Sequence, residues 1–398
     1  MLDQEKVFDV LRRNGVNYYI GVPDSYLNGF CSYAQANCGD RNVIAANEGN
    51  AVGIAAGHYF ATREIPLVYM QNSGLGNAVN PLASLADRAV YAMPMLLLVG
   101  WRGQGDSEPN HPQHRLQGEI TPGQLELMHI PYTVLEDDDE KFAAAVERAV
   151  AYCREERQPY GLIAPKGVMA AADKPNNRDA VYPMSREEAI EVILDHMPED
   201  TVYSATTGRA TRELFFLREK RNETKAHDFL NVGSMGHASS VALGIALEKP
   251  DRHVVALDGD GAAIMHLGAL TMVSKLAVPN FLHVVLNNGA HESVGRPALR
   301  GPPSGLHEDR RGLRLRDRRQ GRGDGAGTDR SDRAAEGLRK RRLYRLPHPQ
   351  GSQPQTPADR VRPQGGNRRF DERAERISQT RTNAGFPEKG NTEYEQHG

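Results

Sequence analysis

Three observations predict an α/β protein built on two open, parallel sheets. First, short apolar runs recur over about the first 295 of the 398 residues: VNYYIGV, PLVYMQN, MPMLLLVG, TVYSATTG, HVVALDG and FLHVVLNN. Their length and continuous apolarity suit strands buried on both faces. Second, helical patterns lie between the runs, and strand–helix alternation is how parallel sheets acquire their covering helices. Third, MAAADKPNNRDAVYPMSREE interrupts the alternation with Pro, Asn and charge, which reads as a linker. The expected organisation is a first domain over 1–170, a linker over 171–186, a second domain over 187–296 and a tail over 297–398.

The elements follow in chain order. MLDQEKVFDVLRRNG has Val7, Val10 and Leu11 at helical spacing. It is acidic and amphipathic, unlike a signal peptide. In DDEKFAAAVERAVAYCREE, Phe142, Val146, Ala149, Val150 and Cys153 share one helical face, with Asp138 or Asp139 as N-cap. The acidic run Glu136–Glu140 reads as a complement to that helix's dipole rather than a metal site. No run reaches the roughly 18 apolar residues of a membrane span. The cysteines are Cys31, Cys38 and Cys153, without a C-x-x-C pair. An odd, unpaired set suits a reducing cytoplasm and argues against a disulfide framework or zinc site.

The formal net charge is -2, which disfavours a dedicated polyanion binder if the charge is evenly spread. It is not. From about Arg296 the text becomes PALRGPPSGLHEDRRGLRLRDRRQGRGDGAGTDRSDRAAEGLRKRR. Arg makes up about a fifth of 297–398, and Leu, Ile, Val and Phe together about a tenth, a composition in the disordered range. Lys nearly vanishes, as a shifted reading frame in GC-rich DNA would produce. A natural disordered tail is the alternative. A nucleic-acid-binding tail is a third reading, weakened by the lack of interleaved aromatics.

The chemistry concentrates in VVALDGDGAAIMHLGALTMVSKLAVPNFLHVVLNNGAH. Gly259-Asp260-Gly261 follows an apolar run and precedes a helical pattern. Glycines at such a turn let backbone N–H groups approach a phosphate. A dinucleotide site fits poorly, because G-x-G-x-x-G is incomplete and the acid expected about twenty residues on is missing. Asp260 separates a phosphate site from a plain tight turn. A carboxylate beside a diphosphate needs an intervening cation, Mg²⁺ or Ca²⁺, both of which take oxygen ligands. The next strand run ends in Asn287-Asn288, and neighbouring parallel strands place their C-terminal ends on one edge. Asn288 and the Ala290 carbonyl can then complete a metal–diphosphate clamp.

GDG followed by NN at this spacing resembles the thiamine diphosphate enzymes. The resemblance implies that Asp260, Asn288 and the Ala290 carbonyl hold Mg²⁺ against the cofactor's diphosphate, with Gly259 and Gly261 approaching it. It also implies a glutamate on the other domain, at a helix start. VIAANEGNAVGIAAGHYFA supplies Glu48, expected to promote the imino form of the pyrimidine ring; read without the resemblance, Glu48 is a dipole-complementing acid. Met235, in NVGSMGHASSVALGIAL, corresponds to the large apolar residue that bends the cofactor, and simple core packing is the alternative. QNSGLGNAVNPLASL resembles the cofactor loop of a pyrimidine-binding domain, with Asn72, Ser73 and Gly74 as contacts. The first domain is then the pyrimidine-binding one, and the second the diphosphate-binding one, incomplete because strand text expected after HESVG is missing.

There is little room for the middle domain of pyruvate decarboxylases or acetolactate synthases. YYIGVPDSYLNGF, HPQHRLQGEIT, TTGRATREL, GSMGHASS and NNGAHESVG resemble the phosphonopyruvate decarboxylases and, next, the sulfopyruvate decarboxylases, over about residues 5–295. This implies cytoplasmic decarboxylation of a small 2-keto acid by a homo-oligomer whose sites lie between subunits, with no membrane partner. Glu48, His114 and His237 are the expected catalytic residues. Asp24, Ser25, Arg209 and His291 are expected at the substrate, with Arg212 a further cation. The glutamate that pyruvate decarboxylases carry after the Asn pair is absent, and Val294 stands there.

Overall fold

The computed structural model describes residues 1–105, 112–172 and 184–287. The expected sites Asn288, Ala290 and His291 and the whole of 297–398 lie outside them.

In the first half α1 (Gln4–Arg13), β1 (Tyr19–Gly21), α2 (Asn28–Asn37), β2 (Asn42–Ile44), α3 (Glu48–Thr62), β3 (Leu67–Gln71), α4 (Leu75–Pro81), β4 (Leu96–Gly100), α5 (Pro112–Leu127), β5 (Tyr132–Val134), α6 (Asp139–Glu156) and β6 (Tyr160–Ala164) follow one another. The six strands form one sheet in the order β2-β1-β3-β4-β6-β5, parallel throughout. Alternate residues of a strand face opposite ways, and two cores result. Tyr19, Leu67, Tyr69, Leu96 and Leu98 pack with Val7, Phe8, Phe30, Phe142 and Val146 of α1, α2 and α6. Ile20, Val68, Met70, Leu97 and Val99 pack with Ala51, Val52, Ala55, Leu75 and Ala78 of α3 and α4. β1 therefore feeds a helix on one face, whereas its neighbour β3 feeds a helix on the other. Diverging connections at such a switch point open a crevice at the carboxyl ends of the strands.

In the second half α7 (Arg186–His196), β7 (Val202–Ala205), α8 (Arg209–Lys220), β8 (Asp228–Leu230), α9 (Ala238–Glu248), β9 (Val254–Gly259), α10 (Asp260–Met265), α11 (Ala269–Leu276) and β10 (Phe281–Leu286) follow. The sheet runs β10-β9-β7-β8, again parallel. Tyr203, Val255 and Leu257 meet Ile190, Leu214 and Leu217 on one face. Val254 and Ala256 meet Ala242 and Ala246 on the other. Leu286 pairs with Gly259, so the chain leaves β10 beside the Gly-Asp-Gly turn.

Local signals explain the helix starts. Asp138 caps α6, accepting from the backbone of Glu140 and Lys141. Ser185 and Glu188 form a capping box on α7, so this helix begins at the last residue of the expected linker. Among the described residues no helix is long and apolar enough to cross a membrane.

Candidate functional site

Neighbouring parallel strands bring the segments after β1, β2, β3 and β4 to one edge of the first sheet. After β2, Asn47 caps α3 by accepting from Asn50 N at 2.9 Å. Glu48 is the first residue of that helix and is only 5% exposed. Asn77 Nδ2 of α4 donates to Glu48 Oε2 at 2.7 Å. Glycine lets the walls close in. A methyl group on Gly74 would lie 2.4 Å from Glu48 Oε1, and one on Gly49 would lie 2.7 Å from the Asn77 carbonyl oxygen. Burial pushes the Glu48 carboxyl above its ordinary value, while the Asn77 hydrogen bond opposes the shift.

Asp24 and Ser25 follow β1. Asp24 is fully buried. Its Oδ2 accepts from Tyr26 N at 3.0 Å, whereas Asp24 Oδ1 and Ser25 Oγ are buried without a hydrogen-bond partner. Burial pushes the Asp24 carboxyl up to about 6, with the Arg102 charge pulling the other way. Buried polar atoms are nearly always satisfied, so a pair that is not points to a polar ligand at this edge. His114, in the first turn of α5, has Nε2 3.3 Å from Arg102 NH1.

Of the three residues expected to touch the cofactor after β3, Gly74 sits against Glu48 as described. Ser73 Oγ accepts from Gln71 Nε2 at 2.6 Å. Asn72 behaves differently. Its Nδ2 donates to the Arg102 carbonyl at 2.8 Å and to Thr121 Oγ1 at 2.9 Å, and its Oδ1 accepts from Arg102 N at 3.2 Å. The amide helps to hold the β4–α5 connection through both of its Nδ2 hydrogens, and its Oδ1 keeps one lone pair beyond the bond from Arg102 N.

In the second half Asp260 opens α10, is 4% exposed and accepts from Gly261 N at 2.7 Å through Oδ1. Gly259 has φ -84°, which any residue adopts, and a methyl group there would meet nothing within 4 Å. Neither backbone strain nor protein packing asks for glycine at 259, and the open space suits a group lying on the turn. Met235 is half-buried between Ser234 and Gly236, both left-handed at φ 51° and 88°. His237 is exposed and precedes α9. Arg209 and Arg212 are exposed in the first turn of α8. Asn47 Nδ2 donates to the Met265 carbonyl at 3.0 Å, so the cap of the Glu48 helix touches the end of the Asp260 helix.

Sequence reasoning missed several neighbours. Arg102 stands two residues beyond β4. His266 lies 4.3 Å, ring to ring, from His237; burial, and then His237, hold its imidazole below the ordinary value. Asp258, fully buried, places Oδ2 2.9 Å from His283 Nε2 on β10, tying the two strands together just under the Gly-Asp-Gly turn. Arg102 was accessible through its place after the MPMLLLVG run. The two histidine pairings carry no local signal, because their partners come from other elements.

A buried acid at a helix start, an open glycine turn and a buried aspartate beside the exit of β10 fit a diphosphate cofactor with a divalent cation, as far as the described residues reach. Comparison with known proteins agrees. Residues 4–127 match the thiamine pyrophosphate enzyme N-terminal TPP binding domain, and 207–308 match the corresponding C-terminal TPP binding domain. The chain is 35% identical to a phosphonopyruvate decarboxylase of Streptomyces viridochromogenes, over 71% of this chain and 72% of the relative. It is 34% identical to one of Streptomyces hygroscopicus, over 71% of each. A sulfopyruvate decarboxylase of Methanosarcina acetivorans is 27% identical, over 73% of this chain and 77% of the relative.

Proposed function

This chain belongs to the thiamine pyrophosphate enzymes, and from that premise we propose that it is a carboxy-lyase converting 3-phosphonopyruvate to phosphonoacetaldehyde and CO₂. The observation that carries the reading is the buried Glu48 carboxyl, walled in by Gly74 and raised toward its protonated form. Thiamine diphosphate, when bound, supplies an acidic ring carbon and an electron sink for the carboxylate that leaves. Glu48 keeps a proton available to the pyrimidine ring. Asp260 supplies an anionic oxygen to Mg²⁺, joined in this proposal by Asn288 and the Ala290 carbonyl. Gly259 and Gly261 leave room for the diphosphate, and Met235 offers an apolar surface to the cofactor. His114 and His237 are the proton-handling groups. Asp24, Ser25, Arg209 and His291 are proposed to face the substrate. We assign the cofactor roles to 1–170 for the pyrimidine and 187–296 for the diphosphate. The working form is a homo-oligomer with each site shared between subunits.

Sulfopyruvate is the second reading, on the strength of the Methanosarcina acetivorans relative, but that likeness is lower than to either phosphonopyruvate decarboxylase. The test is turnover by the full 398-residue chain, supplied with thiamine diphosphate and Mg²⁺, on phosphonopyruvate, sulfopyruvate and pyruvate in parallel. Preference for phosphonopyruvate is expected. Equal or higher kcat/KM on sulfopyruvate moves the assignment to that substrate, and no CO₂ release from any of the three removes it.

A further inference from the structure

Arg102 is a built feature of the first sheet's edge that the reaction so far leaves without a role. Its backbone is held on both sides, with N donating to Asn72 Oδ1 at 3.2 Å and its carbonyl accepting from Asn72 Nδ2 at 2.8 Å. The flanking residues are fixed as well. Trp101 Nε1 donates to the Gly118 carbonyl at 2.8 Å. A methyl group on Gly103 would lie 1.8 Å from the His114 carbonyl oxygen, and one on Gly118 would lie 1.9 Å from the Gly103 carbonyl oxygen, so α5 presses directly on this connection. The guanidinium is held too. Its carbon sits 4.8 Å from the Tyr26 ring centroid, and NH1 is 3.3 Å from His114 Nε2. Two buried polar atoms without partners, Asp24 Oδ1 and Ser25 Oγ, belong to the two residues that precede Tyr26 in the chain.

Resting on the decarboxylase reading, we propose that Arg102 binds the terminal phosphonate of the substrate, with Ser25 as a neutral donor beside it, and so selects keto acids that carry a second anionic group. A planar guanidinium matches the oxygen spacing of a phosphonate. Ordering it on Tyr26 beforehand lowers the entropy lost on binding. The cation also offsets the charge of Asp24, which would otherwise repel a dianion.

The experiment compares the full-length wild type with Arg102→Gln and Arg102→Lys, each with thiamine diphosphate and Mg²⁺. It reads KM and kcat on phosphonopyruvate, and the Kd of the non-reacting analogue phosphonoacetate by calorimetry. Loss of a bidentate charged contact predicts a fall of about 100-fold in kcat/KM for R102Q, carried mainly by KM, with R102K between it and the wild type. Phosphonoacetate affinity should weaken in parallel. If R102Q turns over with KM and phosphonoacetate Kd within about twofold of the wild type, or loses kcat alone, the proposal is overturned while the decarboxylase reading stands. If the wild type binds phosphonoacetate through Arg102 but does not decarboxylate phosphonopyruvate, the functional reading fails and the anion site remains. Neither binding nor turnover by the wild type overturns both.

Discussion

The two sheets share a parallel plan and differ in how well they are covered. In the first, β4 and β6 are buried at every position and β3 at all but Gln71. Aromatic residues fill one face, with Phe8 stacked against Phe30 at 4.7 Å and edge-on to Tyr19 at 4.9 Å. In the second, β9 is buried along most of its length, but its neighbour β10 is half-exposed throughout, with Leu282 at 43%. Nearby Met272 and Leu276 of α11 are 48% and 44% exposed. The difference matters for chemistry. Glu48, the acid proposed to serve the pyrimidine ring, lies in the densely packed half, where a charge is poorly solvated. The Gly-Asp-Gly turn, proposed to hold the metal, lies against the sparsely covered strand.

Substitutions can test this contrast. The largest effect is expected at Glu48. Glu48→Gln keeps the shape and the Asn77 contact but removes the proton, and decarboxylation should fall by roughly 10²–10⁴-fold; a loss below tenfold in steady-state rate would remove Glu48 from the chemistry. Core truncation compares the sheets directly. Leu98→Ala in β4, 2% exposed, should cost about 2–5 kcal/mol. Leu282→Ala in β10 should cost under about 1 kcal/mol, since much of its surface is already wet. Urea midpoints of the two variants check this, and equal shifts would mean that the second sheet is as well covered in solution as the first.

The third prediction concerns pH. The unfolded chain gives up the Asp24 proton near 3.8, and the folded protein near about 6. Between those values the folded state holds a proton that the unfolded state has lost. Stability therefore falls as pH rises from about 4 to about 6, by about 3 kcal/mol, and the contribution is flat on either side. Burial gives Glu48 a slope of the same sign. Asp24→Asn should flatten the decline between pH 4 and 6 in denaturant titrations; an unchanged slope would show that Asp24 titrates normally. A more modest effect than at Glu48 is expected at the Gly-Asp-Gly turn. Asp260→Asn should weaken thiamine diphosphate binding at fixed Mg²⁺ by about 10–100-fold, with the order of metal-site perturbations, read by fluorescence quenching. Mixing this variant with Glu48→Gln sharpens the assembly proposal. Sites shared between subunits recover activity in the mixture, whereas sites within one chain do not.

Much of the fold is legible because periodicity and turn chemistry are local. The six apolar runs became β1, β3, β4, β7, β9 and β10, and the Asp138 cap and the apolar face of α6 lie where the spacing places them. Strands β2 and β5 are three residues each, too short to show a period. Glu48 and Asp260 were visible because each follows a strand and opens a helix. Asn72, expected to touch the cofactor, has partners that no local pattern shows. Its place after β3 is apparent in the sequence, but the Arg102 backbone and Thr121 that hold its amide lie 30 and 49 residues away.

The amino-acid sequence alone thus determined the α/β alternation, the Gly-Asp-Gly turn and the two acids at helix starts, since each depends on neighbours within a few positions. Tertiary structure decided what those groups are worth. Placing β1 between β2 and β3 sets Asp24 and Glu48 on one edge and closes Gly74 over the Glu48 carboxyl. Packing α5 onto the β4 connection holds Arg102 in position beside His114. Burial, and with it the raised carboxyls of Asp24 and Glu48, comes from contacts between segments tens of residues apart, and no local pattern encodes which segments will meet.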